Sequence, residues 1–260
     1  MGQPVQREHK GVKSRAVRLV LLRPRIPENV GAVARAMKNL GFERWTLVDP
    51  YTRDLDAARR VAVHAEDLLD RARVAETLDE AVADCVWVVG TSSRGIKGKR
   101  RLTPEELAAE ALSREGEGEV AIVFGDERSG LTNAEIDRCH DLSFIPAQPE
   151  QPSLNLAQAA LVYLWELSEG NLQSASSLGT PSIGQAAAGT PAPAPGKAAA
   201  TDRELEVLEE ALRAALRESG FLRGPERHAV RDLLATLRRS KLSRAEARLW
   251  IAALKGLKAR

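Results

Sequence analysis

The chain has 260 residues, 43% of them hydrophobic, which allows one large domain or a domain with a smaller companion. Its formal net charge is only +2, and its two cysteines belong to no CxxC or Cys/His cluster, which argues against a zinc site or a disulfide scaffold. The polar N-terminus lacks a signal peptide core and no apolar run reaches the roughly 18 residues of a membrane span, so we expect a cytoplasmic, metal-free protein.

Short apolar runs alternate with helical patterns over the first 170 residues. Buried strands are predicted at Val17–Leu22, Trp45–Val48, Val86–Val89, Val120–Phe124 and Leu142–Ile145. Helices are predicted near Val30–Leu40, Ala57–Val63, Leu78–Asp84, Pro104–Leu112 and Asn133–Cys139. This alternation predicts an α/β fold with a mostly parallel sheet covered by helices on both faces.

Helix-end signals support these boundaries. Thr77 precedes Glu80, and Thr103 precedes Glu106, at the spacing of a capping box. Gly41 follows the first helical pattern in the place of a C-terminal glycine cap.

The loop and helix after the first strand read RPRIPENVGAVARAMKNLG. Small residues keep this helix slim, so a backbone or a ligand can approach it closely. Arg35 lies on this helix, and from this segment alone a functional arginine and a solvent-facing one are equally good interpretations.

Gly90–Gly95 resembles the opening of a P-loop, but Ile96 stands where the P-loop lysine is required and no GxGxxG follows the first strand. An NTPase is therefore disfavoured. The GDERSGL segment that contains Glu127 and Arg128 is compatible with a simple surface turn.

A third loop, rich in proline and glutamine, leads to Ser153, where a helix is predicted to begin. Ser153 and Asn155 would then offer free amide groups to polar or anionic ligand atoms. The following helix is apolar almost all round, which fits burial in the core and burial in a subunit interface equally well.

Helical periodicity dissolves after residue 170. Residues 171–201 are rich in Ala, Gly, Pro and Ser and predict a flexible linker. Residues 202–260 then predict a small all-α domain of three helices, with apolar stripes at Leu205/Leu208/Leu212/Leu216, Val230/Leu233/Leu234/Leu237 and Ala245/Leu249/Ala252.

Charge is unevenly distributed between these parts. Residues 202–260 carry 14 Lys/Arg against 9 Asp/Glu, a net of +5, whereas residues 1–170 have a net of −4. The basic residues of the C-terminal segment include Arg231, Arg238, Arg239, Lys241 and Arg244. They fit an RNA-binding domain, or alternatively the solvated surface of ordinary helices.

Four segments taken together, NVGAVARAMKNLGF, VVGTSSR, FGDERSGLTNAEI and IPAQPEQPSLNLAQA, resemble the SPOUT superfamily of RNA 2′-O-ribose methyltransferases. They are most similar to its TrmJ branch, whose members act on the first nucleotide of the tRNA anticodon loop. The resemblance spans about residues 16–168 and implies a sheet whose C-terminal part forms a trefoil knot, a rare exception to the usual rules of chain connection.

The resemblance also implies a homodimer, tRNA as substrate and S-adenosylmethionine as cofactor. The implied cofactor-binding residues are Thr91, Ser92, Gly125, Glu127, Gly130, Leu131, Ile145, Pro146, Ser153 and Leu154. The implied catalytic residues are Arg35, Asn29, Glu127, Ser153 and Asn155. Methylation of another tRNA position or of rRNA, and a non-catalytic RNA-binding module of the same fold, are the alternatives.

Overall fold

The computed structural model describes residues 16–51, 55–96, 98–114, 116–169, 198–219 and 228–256. Seven strands are present in these residues: β1 (Val17–Leu22), β2 (Arg44–Val48), β3 (Arg73–Ala75), β4 (Cys85–Thr91), β5 (Arg101–Leu102), β6 (Glu119–Phe124) and β7 (Asp141–Ser143). The helices of the N-terminal body are α1 (Pro27–Leu40), α2 (Asp56–Ala62), α3 (Glu66–Asp70), α4 (Leu78–Val82), α5 (Pro104–Ser113), α6 (Asn133–Arg138) and α7 (Leu156–Glu169). The C-terminal helices are α8 (Asp202–Glu218), α9 (His228–Arg239) and α10 (Arg244–Gly256).

The strands form one parallel sheet in the order β3-β2-β1-β6-β4-β7-β5. Successive residues of β1 enter different cores: Leu19 and Leu21 pack with α1 and α7, whereas Val20 and Leu22 pack on the face covered by α4 and α6. Burial on both faces explains why the central strands read as continuous apolar runs. The predicted α/β class is confirmed.

Most predicted elements are present, with differences at short or terminal segments. β1 has the predicted bounds, while β3, β5 and α3 were not predicted. They have five residues or fewer, too short for a periodic pattern to be read. The last predicted strand ends at Ser143 rather than Ile145, and the helix predicted from Ser153 begins at Leu156.

The predicted helix ends are largely confirmed. Thr103 and Glu106 form the complete capping box, whereas Thr77 only accepts the backbone N–H of Glu80. Gly41 is in the left-handed conformation with φ 78° at the end of α1.

No described helix has the length and the apolar character that crossing a membrane requires.

Strand β7 lies between β4 and β5, two strands that the chain joins directly through the segment before Arg101. The backbone N–H of Ser92 donates to the carbonyl of Ser143 at 2.9 Å, and that of Phe144 donates to Leu102 at 3.0 Å. This insertion of a late strand between two earlier ones is compatible with the trefoil knot, which itself stays a prediction.

The three C-terminal helices form their own small core. Leu205 and Leu208 of α8 are buried as predicted, but Leu233 of α9 is 45% exposed. The predicted stripe of α10 is wrong: Leu249 is 70% exposed and Ala245 and Ala252 are also exposed, while Ala247 and Leu254 are buried. Two apolar stripes of equal helical spacing run along α10, and only packing against α8 selects one of them.

The C-terminal helical unit is docked on the body by buried charges. Arg238 is 5% exposed and lies 2.7 Å from a carboxylate oxygen of Asp202, which is fully buried. The other oxygen of Asp202 lies 2.7 Å from Arg138 of the body, and Arg238 donates to the carbonyl of Arg138 at 3.0 Å.

The last residues of the predicted linker, 198–201, contact the C-terminal helical unit, since the Ala200 N–H donates to the carbonyl of Leu242 at 2.8 Å. Of the linker before them, residues 171–197 lie outside the described residues.

Replacing Arg238 with alanine is expected to destabilise the docked helical unit by about 3–5 kcal/mol, because the buried carboxylate of Asp202 loses a charge partner. Urea unfolding and limited proteolysis of the full chain measure this loss. Arg203→Ala is the matched control on α8, since the Arg203–Glu206 ion pair is exposed and should contribute less than about 1 kcal/mol. Equal stability of the two variants would contradict the docking argument.

Candidate active site

A cavity of about 420 Å³ opens at the carboxyl ends of β4, β6 and β7. Loops at this edge of a parallel sheet are the usual place for ligand binding in α/β folds. Its lining comes from four segments: the start of α1 (Ile26, Asn29), the loop after β4 (Thr91–Arg94), the loop after β6 (Phe124–Leu131), and the segment from Phe144 into α7 (Phe144, Ile145, Pro152–Leu156, Ala159, Tyr163).

The loop after β4 is held by hydrogen bonds to both neighbouring strands. Thr91 Oγ1 donates to the carbonyl of Val123 on β6 at 3.0 Å, and the Ser92 N–H donates to Ser143 on β7. The side chain of Arg94 donates to the carbonyl of Leu131. These bonds fix one wall of the cavity against the other two loops.

The loop after β6 is a tight turn that needs glycine at two positions. A Cβ on Gly125 would lie 2.3 Å from the carbonyl carbon of Gly130 and 2.5 Å from the nitrogen of Leu131. Gly130 has φ +65°, in the left-handed region that favours glycine. The backbone therefore passes close to itself here, and a side chain at Gly125 would not fit.

Asp126 organises this turn from within. Its Oδ1 accepts the backbone N–H groups of Arg128 at 2.7 Å and Ser129 at 3.1 Å, and its Oδ2 accepts Nε of Arg25 at 2.6 Å. Burial acts to raise the pKa of Asp126, but these donors outweigh it and lower the pKa below its ordinary value. Asp126 was not among the residues predicted from the sequence, although a carboxylate two positions after a buried strand was an available signal for it.

A chain of polar side chains joins three of the nominated residues. Asn155 Nδ2 donates to Asn29 Oδ1 at 2.9 Å, and Asn29 Nδ2 donates to Glu127 Oε1 at 3.2 Å. Glu127 also accepts the backbone N–H groups of Arg25 at 2.9 Å and Ile26 at 3.3 Å. Residues separated by more than 120 positions in the chain thus form one network at the mouth of the cavity.

Asn155 has a different local role from the one expected. Its Oδ1 accepts the N–H groups of Ala157 at 2.9 Å and Gln158 at 3.3 Å, so it caps α7. These two first-turn amides of α7 are therefore satisfied by the protein and are not available to a ligand, while the binding role expected of Ser153 and Asn155 stays a prediction. Ser153 is exposed and lines the cavity.

Of the thirteen site residues predicted from the sequence, eleven line the cavity and two do not. Those that line it are Asn29, Thr91, Ser92, Gly125, Glu127, Gly130, Leu131, Ile145, Ser153, Leu154 and Asn155. Pro146 is exposed and is not part of the lining. Arg35 also lies outside it, because six helical residues after Asn29 place its side chain about 120° round α1. Arg35 is exposed and makes no hydrogen bond or ion pair with any described residue.

One cluster of acidic and sulfur ligands exists within the described part of the chain: Asp84, Cys85 and Glu119. Arg18 is bound to both of its carboxylates, at 2.7 Å from Asp84 and still closer to Glu119. Burial raises the pKa of the Cys85 thiol, so the sulfur stays protonated. This cluster is an internal ion pair network around a cation that the protein itself supplies.

The basic C-terminal residues are mostly engaged within the protein. Arg238 is buried, Arg239 donates to the carbonyl of Gly98 at 3.2 Å, and Lys241 lies 2.8 Å from Glu110. Arg244 lies 3.1 Å from Glu204, and the side chain of Arg231 is outside the described residues. At the four of these positions whose side chains are described, the cations already have partners within the protein, and RNA binding by the helical unit stays a prediction.

The sequence of this chain is similar to those of known RNA methyltransferases. The model of the SpoU rRNA Methylase family matches residues 16–165. The chain is 45% identical over 157 residues to the tRNA (cytidine/uridine/adenosine-2'-O-)-methyltransferase TrmJ of Pseudomonas aeruginosa (strain UCBPP-PA14), covering 58% of this chain and 60% of that relative. The chain thus matches less than two thirds of the length of this curated relative.

Two solved structures are similar over more of their length. The crystal structure of TrmJ from Z. mobilis ZM4 superposes with a TM-score of 0.73 at 33% identity, covering 92% of this chain and 98% of that one. A probable methyltransferase from Bordetella pertussis Tohama I superposes with a TM-score of 0.58 at 40% identity, covering 61% of this chain and 98% of that one.

Proposed function

The chain belongs to the SpoU rRNA Methylase family, and on this premise we propose that it transfers a methyl group from S-adenosylmethionine to a ribose 2′-hydroxyl of tRNA. The observation that carries the proposal is the single cavity in which the three loops nominated from the sequence meet. The P. aeruginosa relative is named as a tRNA methyltransferase, which favours tRNA over rRNA. We propose that the target ribose belongs to the first nucleotide of the anticodon loop. We also propose that the protein acts in the cytoplasm.

The cavity fits S-adenosylmethionine in size and chemistry. Its 420 Å³ lies within the range of about 300–1,000 Å³ that is usual for small-molecule sites. Leu131, Ile145 and Leu154 offer apolar contacts, and Gly125 and Gly130 offer main-chain groups that no side chain of their own covers. When bound there, the cofactor supplies an electrophilic methyl group.

The attacking ribose hydroxyl must lose its proton, and two charged residues are the candidates to assist. Arginine keeps its proton in proteins, so Arg35 acts as a cation that holds a phosphate and stabilises developing alkoxide charge. Glu127 is already an acceptor for Arg25, Ile26 and Asn29, so it positions the mouth of the cavity rather than taking the proton. The proton then leaves to phosphate or water.

Arg35 serves the cavity of a partner subunit in this proposal. It points away from its own cavity, and α7 has an exposed apolar side that a second copy of the chain would cover. Leu161 and Trp165, one helical turn apart, are each 47% exposed, while Tyr163 and Leu164 of the same helix are buried in the core. One side of α7 is thus buried in the core, and the other side is exposed and available for a subunit interface. The dimer itself stays a proposal.

Replacing Trp165 with glutamate is expected to convert a dimer to a monomer, because a charge would have to be buried in the interface. Sedimentation velocity at micromolar concentration measures the change, with Leu249→Glu on the exposed side of α10 as the matched control. Loss of methylation with retained cofactor binding should accompany dissociation. A wild-type chain that sediments only as monomer contradicts the proposal.

Calorimetric titration of the full chain with S-adenosylmethionine is expected to give a micromolar Kd that EDTA does not change. The physical reason is that the described lining contains no His or Cys, and its two carboxylates, Asp126 and Glu127, already accept hydrogen bonds within the protein and belong to no cluster of three metal ligands. Absence of binding heat, or binding that requires added metal, would contradict this expectation.

Methylation of total tRNA with labelled cofactor, followed by mapping of the modified nucleotide, tests the activity itself. The expected product is a 2′-O-methylribose at the first anticodon-loop nucleotide. Incubation with purified rRNA is the parallel arm. Label in rRNA alone would show that rRNA, and not tRNA, is the substrate. Label in neither RNA would overturn the proposed function.

A further inference from the structure

A second, smaller cleft adjoins the methyl-transfer cavity. It has a volume of about 290 Å³ and is lined by Arg25, Ile26, Tyr51, Glu127 and Arg128. Ile26, Glu127 and Arg128 line both spaces, so a ligand in one would lie beside a ligand in the other. Its size suits one nucleoside-sized group.

The exposed ring of Tyr51 is the surface of this cleft that a ligand would contact. Tyr51 is 56% exposed, so much of its ring surface is open to a ligand. The guanidinium of Arg25 lies over the ring, 3.7 Å from its centroid, and also donates to the Tyr51 hydroxyl. One face of the ring is therefore covered, and the exposed area belongs to the remaining face and edge.

The support beneath the ring is rigid. Arg25 is held at 2.6 Å by Asp126, which is 3% exposed, and its backbone N–H is held at 2.9 Å by Glu127. The same Asp126 organises the loop after β6. The ring is thus tied to the wall of the methyl-transfer cavity rather than to a separate surface.

The opposite side of the cleft supplies charge. Arg128 is exposed, and no described residue accepts a hydrogen bond or forms an ion pair with its guanidinium. Ile26 adds an apolar wall that is 46% exposed. An aromatic face, an apolar wall and a free guanidinium match the base and the phosphate of a nucleotide.

We propose that Tyr51, supported by Arg25, is a stacking platform for one nucleobase of the RNA substrate at the mouth of the methyl-transfer cavity. The inference rests on the proposed function and adds a residue that selects and positions the RNA. The stacked base holds the strand in place, and Arg128 binds the adjoining phosphate.

Tyr51→Ala is expected to raise the KM for tRNA by about 5- to 100-fold, the loss that corresponds to one base stack. Tyr51→Phe should restore most of the affinity, because it keeps the ring and loses only the hydroxyl. The Kd for S-adenosylmethionine should stay within about twofold in both variants, since one base stack affects only the RNA. Val74→Ala, at a 46% exposed position on β3, is the matched control and should behave as wild type.

Fluorescence of 2-aminopurine tests stacking without turnover. Anticodon stem-loops carry the probe at the target nucleotide or at either neighbour. Quenching at one of these positions by the wild type and by Tyr51→Phe, but not by Tyr51→Ala, supports the platform. Equal KM and equal quenching for wild type and Tyr51→Ala overturn this inference alone, whereas a wild-type chain that neither binds nor methylates RNA overturns the proposed function as well.

Discussion

Replacing Arg35 with alanine is expected to abolish methyl transfer while leaving the Kd for S-adenosylmethionine within a few-fold of wild type. The side chain is exposed, makes no hydrogen bond or ion pair with a described residue and does not line the cavity of its own subunit, so folding and cofactor binding should not depend on it. Removing a cation that stabilises developing charge costs about 100- to 1,000-fold in kcat. Single-turnover methylation of tRNA, together with calorimetry of the cofactor, separates the two effects.

Two matched variants make this test sharper. Arg35→Lys keeps the charge but loses the planar fork of donors, and should recover only part of the activity. Arg60→Ala removes an exposed arginine from α2 and should leave turnover unchanged. A fully active Arg35→Ala protein would show that the arginine is a solvated surface residue, as the alternative interpretation of its segment supposes.

Replacing Gly125 with alanine is expected to abolish cofactor binding and therefore methylation. The new Cβ would lie 2.3 Å from the carbonyl carbon of Gly130, which is main chain and has no side-chain rotamer to adjust. The turn must shift, and a displacement of about 1 Å at a reacting site can cost about 100-fold in rate. Calorimetry with S-adenosylmethionine and thermal unfolding measure binding and stability separately.

Gly95→Ala is the matched control for the glycine substitution. Its added Cβ would meet only the side chain of Arg101, at 3.4 Å, so cofactor binding should be retained. A Gly125→Ala protein that binds the cofactor with wild-type affinity would remove the turn from the proposed binding site.

Mixing the two inactive variants tests the position of Arg35 relative to the cofactor. Arg35→Ala subunits retain an intact cavity, and Gly125→Ala subunits retain Arg35. If Arg35 serves the cavity of a partner, mixed dimers contain one complete site and regain activity. If the arginine acts within its own subunit, the mixture stays inactive and the proposal of a shared site fails.

The sequence by itself determined the class of fold and most of the residues that line the candidate cavity. Apart from the buried ion pair of Arg18 and Glu119, the central strands β1 and β6 are apolar because both faces of the sheet are covered, and that pattern is visible without a structure. Capping at Thr103 and the glycine end of α1 are local in the chain, so their signals are local too. The nominated loops could be found because each follows one of these strands.

The tertiary structure decided what depends on contacts between distant segments. Only packing shows that β6 lies between β1 and β4, that β7 lies between β4 and β5, and that Arg25 supports Tyr51 beside the cavity. Net charge was compatible with an RNA-binding surface and with an ordinary solvated one, and it did not show that Arg238 is buried against Asp202 where the helical unit docks. Composition counts charges, whereas their partners are chosen by how the chain packs.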